Sequence, residues 1–89
     1  MSQEAYVDMR NTVDQDGADQ FIKAMNKGQV GPKGQNGIKM LSGNGFQKGA
    51  TTYMYEVKVF DKALANYRLY GNSTGSGGFW FEVFAKAMH

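Results

Sequence analysis

The chain has 89 residues, 42% of them hydrophobic and 20% charged, with no cysteine and a single histidine, His89. That length allows one domain, 1–89, with one small core, and the composition is that of a globular chain rather than a disordered one. Disulfides, thiolate metal sites and a cysteine nucleophile are excluded together, and a lone histidine speaks against a histidine-built zinc site. No apolar run reaches the roughly 18 residues of a membrane span and no signal peptide opens the chain, so the expectation is a small soluble domain without metal or cofactor.

The first predicted element is a short helix over residues 2–14. Ala5, Met9 and Val13 recur every fourth residue with Tyr6 beside them, and Ser2 is placed to cap the first turn. DQDG at 14–17 reads as a break. Ala18, Phe21, Ile22 and Met25 then form one face of a second helix over 18–27, with Gly28 available beyond its end. Residues 28–49 hold seven of the twelve glycines and the only proline, which predicts a loop region. Within it Ile38–Leu41 is a candidate short strand. Its glycines lack the GxxxxGK[ST] spacing of a phosphate-cradling loop.

The second half alternates. Over 53–60, Tyr53, Tyr55, Val57 and Val59 share one face, and Met54, Glu56, Lys58 and Phe60 share the other. A second strand is predicted at 66–71 (NYRLYG), then a flexible loop at 72–78. The last strand, 79–86, places Phe79, Phe81, Val83 and Ala85 opposite Trp80, Glu82, Phe84 and Lys86. Short connections between consecutive strands favour an antiparallel meander. The predicted fold is therefore α+β: two N-terminal helices packed on one face of a twisted antiparallel sheet of about four strands.

The net charge of +2 conceals an asymmetry, because residues 1–19 sum to −4 and residues 20–89 to +6. A basic body behind an acidic segment suits a polyanion such as RNA. If the apolar strand faces pack on the helices, Glu56, Lys58, Arg68, Glu82 and Lys86 collect on the far face with Tyr70, Trp80 and Phe84. Arginine and lysine there grip phosphates, and exposed rings stack on unpaired bases. The alternative is structural: cross-strand Glu–Lys pairs on an exposed sheet contribute only about 0.2–1 kcal/mol each.

The order of two helices, a glycine-containing loop, and then GIKML, YMYEVKV, NYRLYG and FWFEVFAK resembles the RelE-type mRNA-cleaving toxins. It is also similar to the wider group of barnase, colicin-type and RelE-like ribonucleases. The counterparts here are Glu56-Val57-Lys58, Tyr67-Arg68-Leu69-Tyr70 and the stretch from Phe81 to His89. A terminal histidine is compatible with the YoeB-like branch of that group.

The resemblance implies a metal-independent endoribonuclease toxin that cleaves tRNA or ribosome-bound mRNA in the bacterial cytosol, held in check by a cognate antitoxin or immunity protein. Carried onto matching positions, it makes Arg68 the clamp on the scissile phosphate, with Lys58 assisting and Lys86 on a flanking phosphate. Glu56 becomes the base and His89 the acid, or the two roles are exchanged, and Tyr70 and Trp80 stack on bases; Lys39 is a further candidate substrate contact outside the resemblance. Two other classes stay open: a non-catalytic module that binds RNA or protein, and a small phage or secretion-system structural protein.

Overall fold

The computed structural model describes residues 1–87. Helix α1 spans Gln3–Thr12 and α2 spans Gln15–Met25. Ser2 caps α1 as the sequence predicts, its hydroxyl accepting from the Ala5 amide at 3.1 Å. The same hydroxyl donates to the Glu82 carbonyl, and the Ser2 amide donates to the Phe81 carbonyl at 2.8 Å, which pins α1 to the last strand. Asp14 caps α2 by accepting from the Gly17 amide. The second helix therefore starts three residues earlier than its apolar stripe suggests. Gly17 lies inside it, where a Cβ would come within 2.9 Å of Leu64.

Six strands follow: β1 Gly37–Met40, β2 Phe46–Lys48, β3 Thr51–Tyr53, β4 Tyr55–Lys58, β5 Tyr67–Ser73 and β6 Phe79–Lys86. β1, β4, β5 and β6 form one antiparallel sheet in that order, while β2 and β3 form a separate hairpin. The helices lie against the four-stranded sheet, α1 on β6 and α2 on β4 and β1. The α+β architecture expected from the sequence is the one observed.

Ala5 and Met9 of α1 and Ala18, Phe21 and Ala24 of α2 pack on Ile38, Val57, Val59, Leu69, Phe81 and Phe84. Phe21 meets Phe84 edge-to-face, with ring centroids 5.3 Å apart. Alternation explains the inward placement of Tyr55, Val57 and Leu69. It fails for β6. Tyr70 pairs with Val83 and Gly71 with Phe81, so Glu82 is an extra residue on β6, a β-bulge. One inserted residue inverts the phase, since the side-chain period of a strand is two. Phe84 therefore joins Phe79 and Phe81 on the helix side, and Val83 and Ala85 move to the far side. Gly71 makes the close approach possible: a Cβ there would stand 2.7 Å from the Phe81 Cα.

The predicted strand 53–60 is two strands. Asn72 holds the break at Met54 by accepting from the Met54 amide and donating to the Thr52 carbonyl, both at 2.9 Å. β3 pairs with β2 instead, and β2 lies within the stretch predicted to be loop. Gly45, at φ +66° and packed too tightly against the Tyr53 carbonyl for any Cβ, leads into β2. This hairpin gives the far face of the sheet a core of its own. Tyr53, Tyr70 and Val83 are buried together, with Leu41, Phe46 and Ala85 packed against them. The Phe46 ring stacks on Tyr70 at 3.8 Å and 5°.

Candidate functional site

Antiparallel register places Lys39 of β1 directly opposite Glu56 of β4, and Glu56 opposite Tyr70 of β5. Lys58 follows two residues after Glu56 and so shares its face. Beside them the loop from Lys27 to Asn36 folds back along β1. Val30 bridges Ile38, the Gly31 amide donates to the Ile38 carbonyl, and the Lys27 ammonium holds the Asn36 carbonyl at 2.6 Å. The Asn36 side chain in turn accepts from the Phe60 amide at 2.7 Å. These ties enclose a cleft of about 530 Å³ whose lining includes Lys33, Lys39, Glu56, Lys58, Met40 and Phe60.

The cleft combines cations with apolar surface. Val30, Met40 and Phe60 are three of the six exposed large apolar side chains among the described residues, and all three line it. The Lys58 ammonium stands 4.8 Å from the Phe60 ring centroid, a cation–π distance. Lys39 donates to the Pro32 carbonyl. Desolvation, followed by the charges of Lys27 and Lys58, lowers its pKa below the ordinary lysine value.

Behind the cleft, Glu56 and Arg68 form an ion pair, with Glu56 Oε1 3.3 Å from Arg68 Nε. Glu56 is 7% exposed and Arg68 4%. The Arg68 Nη1 donates to the carbonyls of Ala65 and Tyr67. Arg68 therefore does not lie on an open charged face as the alternation predicted. The guanidinium is buried beside Glu56: its Nη1 donates to the backbone, while Arg68 Nε and Glu56 Oε1 face each other as an ion pair without a hydrogen bond. Tyr70, expected as an exposed stacking ring, is 2% exposed and already stacked on Phe46. Burial, then the Glu56 charge, raises its pKa.

Other expected residues lie apart from this cleft. Lys86 is exposed and pairs with Tyr67, whose ring packs on the helix-side core, so the bulge has moved it to the face opposite Arg68. Trp80 is 47% exposed but lines different clefts, together with Tyr53 and Glu82. The Tyr53 hydroxyl donates to Glu82 Oε2 at 2.8 Å. That bond, then burial, raises the Tyr53 pKa. His89 lies outside the described residues. The structure thus brings Lys39, Glu56 and Lys58 together, sets Arg68 behind them, buries Tyr70 beside Glu56 under Phe46, and places Trp80 and Lys86 elsewhere.

Phe60, Met40 and Val30 were not singled out as site residues. Phe60 carried a signal, since alternation already placed it with Glu56 and Lys58. Val30 and Met40 carried none, because only the folded-back loop brings them to the cleft. Among the described residues no cluster of three metal-ligating side chains occurs, and no helix is long and apolar enough to cross a membrane. No family model, curated protein or solved structure matches the chain.

Proposed function

We propose that the protein is a metal-independent endoribonuclease acting as a toxin, and that its reaction takes place in the cleft between Lys39, Glu56 and Lys58. The observation that carries this reading is one carboxylate set among three lysines beside exposed Phe60 and Met40. RNA offers what that lining complements: a phosphate for the ammonium groups and a base for the apolar wall. The helices-first meander with a functional sheet face is also the architecture that the ribonuclease resemblance implies.

In this reading Glu56 accepts the proton of the ribose 2′-OH as its oxygen attacks phosphorus. Lys58 and Lys39 offset the charge that builds on the phosphate oxygens. The bond from phosphorus to the 5′-oxygen breaks, and Lys39 donates a proton to that leaving group. The products are a 2′,3′-cyclic phosphate and a free 5′-hydroxyl. A lysine with a lowered pKa gives up its proton more readily than an ordinary one, which suits the acid role. Arg68 acts as a positioning residue that holds Glu56 from behind.

The test is cleavage of total bacterial RNA by the purified chain in the presence of a chelator, together with growth after induced expression. Discrete fragments and growth arrest are expected. Glu56→Gln and Lys58→Ala are expected to reduce cleavage by about 10²–10³-fold, by analogy with the loss of an oxyanion donor. The alkaline limb of the rate should fall below the ordinary lysine range and move upward in Lys39→Arg. Intact RNA and normal growth overturn the reading.

One observation favours a second reading. Glu56 Oε1 is fully buried against Arg68, which is also how a purely structural ion pair is placed. The cleft then retains RNA without cleaving it, and a gel-shift with undegraded RNA identifies that case.

A further inference from the structure

A second site lies on the other side of the small hairpin, around Trp80. Two neighbouring clefts, of about 550 and 350 Å³, share Tyr53, Trp80 and Glu82 as lining residues. Trp80 and Glu82 are both exposed there, on either side of the buried Phe81. Glu82 is the bulge residue, so its side chain leaves the regular ladder and its carboxylate is oriented by the Tyr53 hydroxyl at 2.8 Å. Among the described residues no lysine or arginine pairs with Glu82.

The two clefts differ in charge. The larger one already contains an ammonium group, because Lys48 reaches Glu4 at 3.7 Å across its mouth. The smaller one has no lysine or arginine in its lining, which Glu82 and Trp80 share with Thr51, Tyr53, Asn72 and Thr74. A phosphate entering it meets a carboxylate and no compensating cation. A neutral ligand that covers Glu82 removes water from a charge without replacing it, which is costly. A planar or compact organic cation meets both demands. It stacks on the indole, the best cation–π partner among the side chains, and makes charge-assisted hydrogen bonds to the carboxylate.

We propose that the 350 Å³ cleft binds an organic cation, a guanidinium or alkylammonium group seated between the Trp80 ring and the Glu82 carboxylate, with the hydroxyl of Thr51 accepting a remaining donor. The site is independent of the RNA cleft and does not rest on the ribonuclease reading. Its cation comes from a free polyamine or from an arginine side chain of a basic peptide, and the two sources share this chemistry.

Trp80 is the only tryptophan of the chain, so its emission reports on the site directly. The intact protein is titrated at fixed ionic strength with spermidine and, separately, with a triarginine peptide. A saturable change in emission is expected, weakened at least 10-fold in Glu82→Gln and unchanged in Lys58→Ala. Circular dichroism and the melting temperature confirm that the Gln variant, which keeps an acceptor for Tyr53, is folded. Saturation by both ligands assigns the site to the cation itself, and saturation by the peptide alone assigns it to an arginine in an extended chain. Absence of saturation, an equal response in Glu82→Gln, or an equal response to uridine or glucose overturns the proposal.

Discussion

The two faces of the four-stranded sheet are built differently from the same strands. The helix side holds a continuous apolar core in which Phe21, Met9, Ile38, Leu69, Val57 and Phe81 are fully buried. The hairpin side buries Tyr53, Tyr70 and Val83 together with the Glu56–Arg68 ion pair and leaves its edges to charged clefts. Two of those three side chains carry a polar tip, and the ion pair stands where the other side has apolar packing. The contrast teaches where each kind of side chain goes: the helix face concentrates apolar burial, and the other face holds the charged groups and the clefts.

Substitutions on the two faces sharpen that contrast. The largest expected effect is Phe21→Ala, which removes a fully buried ring packed edge-to-face on Phe84 and costs about 3–5 kcal/mol. Urea denaturation measures it, and a loss below about 1 kcal/mol contradicts the division of labour between the faces.

Arg68→Ala stands close behind. It strands the Glu56 carboxylate in a buried setting, which costs about 3–5 kcal/mol when one partner of such a pair is removed. The fold is therefore not expected to survive this substitution unharmed, and loss of activity in it says little about phosphate binding. The double variant Arg68→Met with Glu56→Leu is expected to recover most of the stability while abolishing cleavage. That separation of stability from activity is the sharper test of the pair's role.

Phe46→Ala is expected to be the mildest of the three. It removes a half-buried ring stacked on Tyr70, worth about 0.5–1.5 kcal/mol beyond its buried area. Its distinctive readout is solvent access to Tyr70, measured by amide exchange across β5 and by tyrosine absorbance at alkaline pH. A cost equal to that of Phe21→Ala makes the hairpin side as much a core as the helix side, and the comparison fails.

Much of this architecture is legible along the chain. Ser2 and the Ala5–Met9 spacing define α1, Phe21 and Ala18 define the inward face of α2, and alternation locates β4, β5 and β6. These are local signals, carried by capping geometry and side-chain period, so they need no knowledge of distant partners. The composition of the cleft was partly legible for the same reason: Glu56, Lys58 and Phe60 share a face by period alone.

Three features required the tertiary structure. The bulge at Glu82 depends on pairing across β5, and nothing within FWFEVFAK marks where the extra residue is accommodated. The β2–β3 hairpin is drawn from a glycine-rich stretch whose few apolar residues, Leu41 and Phe46, find their partners only in Tyr53 and Tyr70. Arg68, exposed by alternation alone, is buried against Glu56 and the carbonyls of Ala65 and Tyr67. A period fixes which residues share a face, but the presence of water on that face is set by whatever distant segment comes to cover it. Sequence alone therefore determined the elements and their local phase, while the fold decided which charges meet solvent and which meet each other.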